Sequence, residues 1–225
     1  MCSSDLWIGS ANTEFGVIMV WHTSPARSID DLRKRQITVA GSGGGASGTV
    51  MYYRLLNAYV GTKLKIVTGY TGTADSFLAA QRGEVDGFFL FLSSERAQYG
   101  QQLAKKDIRN VVQLALKKSP DMPDVPFARD YIRNEKDRQA FDLAVAPLAI
   151  GRPYLAPPGI PADRLGALRA GFLATMKDPK FLAEADKLHL EISGVKSGDE
   201  VAALVTRIYR TPPDVVAKVA EITKN

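Results

Sequence analysis

The residues best suited to chemistry lie in two Gly/Ser/Thr turns, each following a short apolar strand and opening a helix. The first holds Ser42, Gly43, Gly44, Gly45, Ser47, Gly48 and Thr49, and the second is Tyr70-Thr71-Gly72-Thr73. Glycines let backbone N–H groups crowd together, and a helix start leaves several of those groups unpaired and partly positive. Two such starts side by side make a seat for an anion such as a carboxylate. The candidate ligand-binding residues are therefore Ser42, Gly43, Gly44, Ser47, Thr49, Tyr70, Thr71, Gly72 and Thr73. Tyr70 supplies an apolar wall, and Ser93, after the next strand, adds a donor. The same residue types also suit plain helix capping and tight turns, and at this level both uses stay open.

Other chemistry fits less well. Gly43-Gly-Gly45-Ala-Ser-Gly48 has GxGxxG spacing between a strand and a helix, but the next strand, Lys65 to Thr68, lacks the terminal acid that would hold a ribose. A phosphate-binding P-loop would need a lysine before Thr49, where Gly48 stands. His22 and His189 have no adjacent Ser, Cys or acid pair suggesting a triad, and no His/Cys/Asp/Glu cluster has metal-ligand spacing. Glu84 and Asp86, two apart on a turn into a strand, read as a solvated turn acid and a buried or hydrogen-bonded one, and Asp75 as a first-turn residue facing the helix dipole. The expectation is a binding protein with no catalytic residue, no metal and no cofactor.

The elements around the turns read as alternating strands and helices. Ser28 caps Ile29 to Arg35, with Asp30 and Asp31 first and Arg33, Lys34 and Arg35 last, as the dipole favours. Ile37 to Ala40 is a strand, Val50 to Val60 a helix closed by Gly61, Leu64 to Val67 a strand, and Ala74 to Arg82 a helix capped by Thr73. Val85 to Leu92 is a continuous apolar strand of the kind covered on both faces. This β-α-β-α-β order predicts a parallel or mixed α/β sheet flanked by helices. Ser93 or Ser94 should cap a helix through Lys105, and Asn110 to Leu116 should be a further strand. Pro120, Pro123 and Pro126 make an irregular connector, followed by helices near Ala128 to Asn134 and Glu135 to Val145. Leu148 to Ala156 reads as an extended crossing strand. Helices from Ala162 to Met176, from Asp178 to Leu188, from Val201 behind the capping box Ser197-Gly-Asp-Glu200, and from Pro213 complete the chain. Val17 to Trp21 is a buried strand arriving without its partners.

The 225 residues are 45% hydrophobic and 24% charged, enough for a substantial core. The net charge of +5 is spread along the chain with no basic run interleaved with aromatics, which argues against a nucleic-acid partner. Apolar stretches are of strand length, short of a membrane span. Met1-Cys2-Ser3-Ser4-Asp5-Leu6 resembles the translation of a sequencing-adapter end, so residues 1–6 are expected to be a non-native leader and Cys2 says nothing of the redox compartment.

Several stretches together resemble the receptors of tripartite tricarboxylate transporters, the Bug/TctC-type extracytoplasmic solute-binding proteins. They are Gly69-Tyr-Thr-Gly-Thr-Ala-Asp75 running into Arg82-Gly-Glu-Val-Asp-Gly87, the connector Pro120-Asp-Met-Pro-Asp-Val-Pro126, and Arg152-Pro-Tyr-Leu-Ala-Pro-Pro-Gly-Ile-Pro161. Ala162-Asp-Arg-Leu-Gly-Ala-Leu-Arg169 and Lys177-Asp-Pro-Lys-Phe-Leu182 continue the match, which covers residues 17 to 222. The resemblance implies a type II periplasmic-binding-protein fold of two α/β lobes. In it, residues 7–36 are a remnant of the first lobe and first crossover, 37–146 a complete second lobe, and 147–225 the return crossover and C-terminal helices of a partial first lobe. It implies a monomeric periplasmic receptor that captures a small organic carboxylate and delivers it to membrane permease subunits, from a parent chain that extends further upstream. Arg152 is then either a hinge residue pairing an acid between lobes or a group facing the ligand. Two other classes stay open: the effector-sensing domain of a transcription regulator of the same fold, and a nucleotide or sugar-phosphate enzyme using the glycine turn.

Overall fold

The computed structural model describes residues 6–43 and 48–224; residues 1–5 of the expected leader, and Gly44, Gly45 and Ser47 of the first turn, lie outside the described residues. The chain is a mixed α/β protein that divides into two compact units. One comprises residues up to Glu14 with Ala146–Thr211, and the larger one Phe15–Val145 with the segment from Pro212 onward.

The larger unit is built on a five-stranded sheet. Its strands are β2 (Gly16–Trp21), β3 (Ile37–Ser42), β4 (Leu64–Tyr70), β5 (Gly87–Phe91) and β6 (Ile108–Leu114), in the order β4-β3-β5-β2-β6. β3 runs parallel to both β4 and β5, as the alternating pattern predicted. The strand expected to stand without partners, β2, is instead bonded on both sides, antiparallel to β5 and β6, and all six of its residues are buried. Residues 15–36 therefore group with the larger unit, not with residues 7–14, and so does the last helix, α9 (Pro213–Lys224).

Two helical layers cover this sheet. Val17, Met19, Phe88 and Leu90 pack with Ala79 and Ala80 of α3 (Thr73–Gln81) and Tyr99 of α4 (Leu92–Ala104). On the other side, Phe89 stacks at 4.8 Å on Tyr52 of α2 (Gly48–Leu55). Because β3 leads to β4 on one side and β4 leads back past it to β5, the strand order reverses at β3, the position where sheets of this kind bind ligands beyond their C-terminal ends.

Local signals explain most boundaries. Ser28 caps α1 (Ile29–Lys34) by accepting from the Asp31 N–H. The helix expected over Val50 to Val60 is α2 followed by a π-helical segment, Leu56–Val60, that ends at Gly61. Asn57 in that segment reaches the start of β4: its Nδ2 donates to Leu64 O at 2.9 Å, while its Oδ1 accepts from Leu64 N at 2.9 Å and from Thr62 Oγ1 at 2.7 Å. Further on, α5 (Glu135–Ile150) continues through Pro147, so Leu148 to Ile150, expected as strand, are helical, and only Pro153–Leu155 (β7) is extended. Gly151 closes the helix by donating to Pro147 O at 3.2 Å, and Leu148 is buried on it.

The smaller unit holds a three-stranded antiparallel sheet, with β1 (Trp7–Ser10) between β7 and β8 (Lys196–Ser197), and the helices α6 (Ala162–Thr175), α7 (Pro179–Lys187) and α8 (Gly198–Tyr209). Asp178 caps α7, and Ser197 and Glu200 form the predicted capping box of α8. Arg152 lies in this unit: its Nε is 3.5 Å from Oε1 of the buried Glu14, and its N–H donates to Asn12 Oδ1. The acid it meets belongs to its own unit.

Candidate functional site

The turns after β3, β4 and β5 all leave the same edge of the sheet, because these three strands are parallel. That edge gathers the described candidates: Ser42, Gly43 and Thr49 from the first turn, Tyr70, Thr71, Gly72 and Thr73 from the second, and Ser93 from the third. Gly44 and Ser47 lie outside the described residues.

The first turn is held by its own side chains. Ser42 Oγ and Thr49 Oγ1 are 3.2 Å apart, and Thr49 Oγ1 also donates to Ser42 O at 3.2 Å, which ties the start of α2 to the end of β3. A Cβ on Gly41 would sit 2.8 Å from Val50 Cγ2, so glycine lets the helix start approach the strand. Gly43 adopts φ 78° and donates its N–H to Tyr70 O at 2.8 Å. This N–H joins the two turns and is spent on doing so. The pairing of β3 with β4 passes from Thr68 to Tyr70 and skips Gly69, whose φ of 110° makes the bulge that aims Tyr70. Tyr70 packs half-buried against the core beneath.

The second turn is rearranged relative to expectation. Gly72, not Thr73, occupies the cap position of α3, with φ −176° and no side-chain cap, and Thr73 is the first helical residue. The Asp75 carboxylate, in the first turn of α3, turns back instead and accepts from the Thr71 hydroxyl and from the Thr71 N–H at 3.3 Å. Both Thr71 donors are thus taken by an internal carboxylate. The N–H groups of Gly72 and Thr73 donate to no described residue. They are the groups a ligand anion can use, at a helix N-terminus with partial positive charge. A small cleft of about 200 Å³ lined by Gly69, Tyr70, Asp75, Leu78, Ala79, Arg82 and Glu84 adjoins this turn on the side of the edge strand.

Ser93 is buried in the first turn of α4, where Phe91 stands at the cap position without a side-chain bond, so neither Ser93 nor Ser94 caps that helix. The other polar residues fall outside the site. His22 and His189 are exposed, Glu84 is exposed, and Asp86 Oδ2 accepts the Thr38 N–H at 2.8 Å, fixing the turn before β5. Among the described residues no group of three or more His, Cys, Asp and Glu could hold a metal, and no helix is long and apolar enough to cross a membrane. The sequence placed Asp75 correctly in the first helical turn but not its grip on Thr71; its four-residue spacing, one helical turn, was the available signal.

The chain shares its fold with solved periplasmic solute-binding proteins of the TctC/Bug type. A TctC solute-binding protein from Polaromonas has a TM-score of 0.65 and 13% identity, the match covering 95% of this chain and 69% of that one. The periplasmic binding protein BugD follows at 0.61 and 18%, covering 96% and 68%. MatC from Rhodopseudomonas palustris, solved with bound malate, stands at 0.56 and 18%, covering 97% and 70%. No family model matches the sequence, and no curated protein matches it.

Proposed function

We propose that this chain is part of a periplasmic receptor that captures a small organic carboxylate and hands it to the permease subunits of a tripartite tricarboxylate-type transporter, with no chemical step. The observation that carries this reading is the pair of N–H groups, Gly72 and Thr73, that donate to no described residue and open α3 at the point where the strand order reverses. Malate bound to a protein of the same fold supports a carboxylate as the ligand class. In this reading the two units are the second lobe and part of the first, and Asp75 narrows the choice of ligand, since a carboxylate must be held beside a resident one.

Calorimetry with malate tests it, comparing the chain with Gly72→Val. Position 72 has extended backbone, which any residue adopts, and a Cβ there meets nothing within 4 Å, so the variant should fold normally. The added branches cover the N–H groups, and affinity should fall roughly tenfold or more, about 1.4 kcal/mol. Unchanged malate binding in a folded Gly72→Val protein removes this turn from the site. No heat with any of a panel of di- and tricarboxylates removes the carboxylate assignment.

A further inference from the structure

Beneath the sheet edge lies a polar pair that the ligand reading does not use. Glu95, in the first turns of α4, is fully buried, and its Oε2 accepts from Asn110 Nδ2 of β6 at 3.0 Å. Glu95 Oε1 and Asn110 Oδ1 are both buried with no hydrogen-bond partner among the described residues. The same Asn110 Nδ2 lies 3.8 Å from Met122 Sδ on the proline-rich connector. Exchanging the amide's oxygen and nitrogen does not help, because it sets two acceptors against each other at 3.0 Å.

An ionised carboxylate and an amide oxygen are both pure acceptors, so neither can satisfy the other. One proton changes this. A carboxylic acid and a primary amide form a closed pair with two hydrogen bonds, amide N–H to carbonyl and acid O–H to amide oxygen. We propose that Glu95 is neutral in the folded protein, its Oε1–H donating to Asn110 Oδ1, so that a bound proton fastens α4 to β6.

The surroundings favour the neutral form. Arg96, the next residue on α4, is paired with Asp121 of the connector at 3.1 Å, and both are about half exposed, so its charge is largely answered there. Tyr99, one turn further along α4, is a buried phenol. Arg109 precedes Asn110 on β6 and by strand alternation faces the other side of the sheet. Asp124 of the connector is exposed, and β2 and β5 carry no charged residue. Burial pushes the Glu95 carboxyl up to about 7, against the lowering effects of the Asn110 bond and Arg96.

The consequence for stability has a definite sign. Below the ordinary carboxyl value of 4.5 both folded and unfolded chains hold the proton. Between there and about 7 only the folded chain holds it, so stability falls as pH rises through this window and levels off above it. At about one decade per pH unit, the folding equilibrium constant should lose on the order of a hundredfold from this group.

Urea unfolding of the full chain across this window, for wild type and Glu95→Gln, tests the proposal. Glutamine makes the same two-bond pair without a proton, so Glu95→Gln should lack this hundredfold decline and match or exceed wild type above neutrality. Infrared spectra of wild type at about pH 6 should show a protonated-carboxyl band that titrates away near neutrality and is missing from Glu95→Gln. An identical pH slope in both proteins overturns the proposal. If Glu95→Gln fails to fold, the wild-type spectrum decides: a band titrating near neutrality upholds the proposal, and no protonated-carboxyl band at about pH 6 refutes it.

Discussion

Replacing Asn57 by alanine should weaken the larger unit well beyond what a half-buried polar residue normally contributes. The Asn57 amide makes three hydrogen bonds of 2.7–2.9 Å, two of them to the N–H and C=O of Leu64 at the start of the edge strand β4. It serves as a substitute neighbour for an edge that, among the described residues, has no strand beside it. A single intramolecular hydrogen bond contributes a net ~0.5–1.5 kcal/mol. Three of them give ~1.5–4.5 kcal/mol, and water entering at the exposed edge recovers some of this, so ~2–3 kcal/mol is the expected loss. With a urea slope of roughly 1–3 kcal/mol/M, the midpoint should drop by about 1 M at unchanged slope. Hydrogen exchange at the Leu64 amide should quicken by a similar free energy, locating the effect at the strand start. The Asp variant separates the two halves of the clamp: it keeps the acceptor for the Leu64 N–H but sets a carboxylate against the Leu64 carbonyl. A loss below about 0.5 kcal/mol for Asn57→Ala, the range of ordinary surface changes, would refute the reasoning.

Two further perturbations follow from the geometry. Gly87→Ala places a Cβ 2.1 Å from the Met19 carbonyl oxygen, which is backbone and cannot step aside, so calorimetric melting should fall by about 5–10 °C; an unchanged melting temperature would mean β2 and β5 can separate freely. Asp75→Asn removes the negative charge beside Gly72 and Thr73 while keeping an acceptor for Thr71, so malate affinity should rise about three- to tenfold; weaker binding would show that Asp75 helps to shape the site.

Much of the larger unit was legible because its signals are local. The Ser28 cap, Gly61, the parallel β3-β4-β5 core and the edge where the turns converge all follow from residues within one crossover of each other. The place of β2 was not legible. An apolar run announces burial but not direction, and its partners Phe88–Leu90 and Ile108–Val112 lie some 70 to 90 positions away in the chain. The strand expected over Leu148 to Ile150 gave way for a related reason: Pro147 interrupts one backbone bond, yet α5 runs on through it, with Leu148 buried and Gly151 closing it. In the site, a glycine in extended backbone took the cap position that Thr73 suits by type, and the Asp75 carboxylate, in the first turn of α3, reaches back to hold Thr71. Side-chain competition of this kind is settled by geometry that residue types alone do not carry.

The π-helical segment Leu56–Val60 also constrains how this sequence can change its length. A π segment is an α-helix with one residue too many, so deleting a residue there would restore regular helical bonding locally. It would also rotate everything beyond the cut by about 100°, one residue's step of the helix, and carry Asn57 or Gly61 out of phase with β4. Regularising the helix and keeping the strand clamp are mutually exclusive, so this stretch should resist single-residue insertions and deletions more strongly than it resists substitutions.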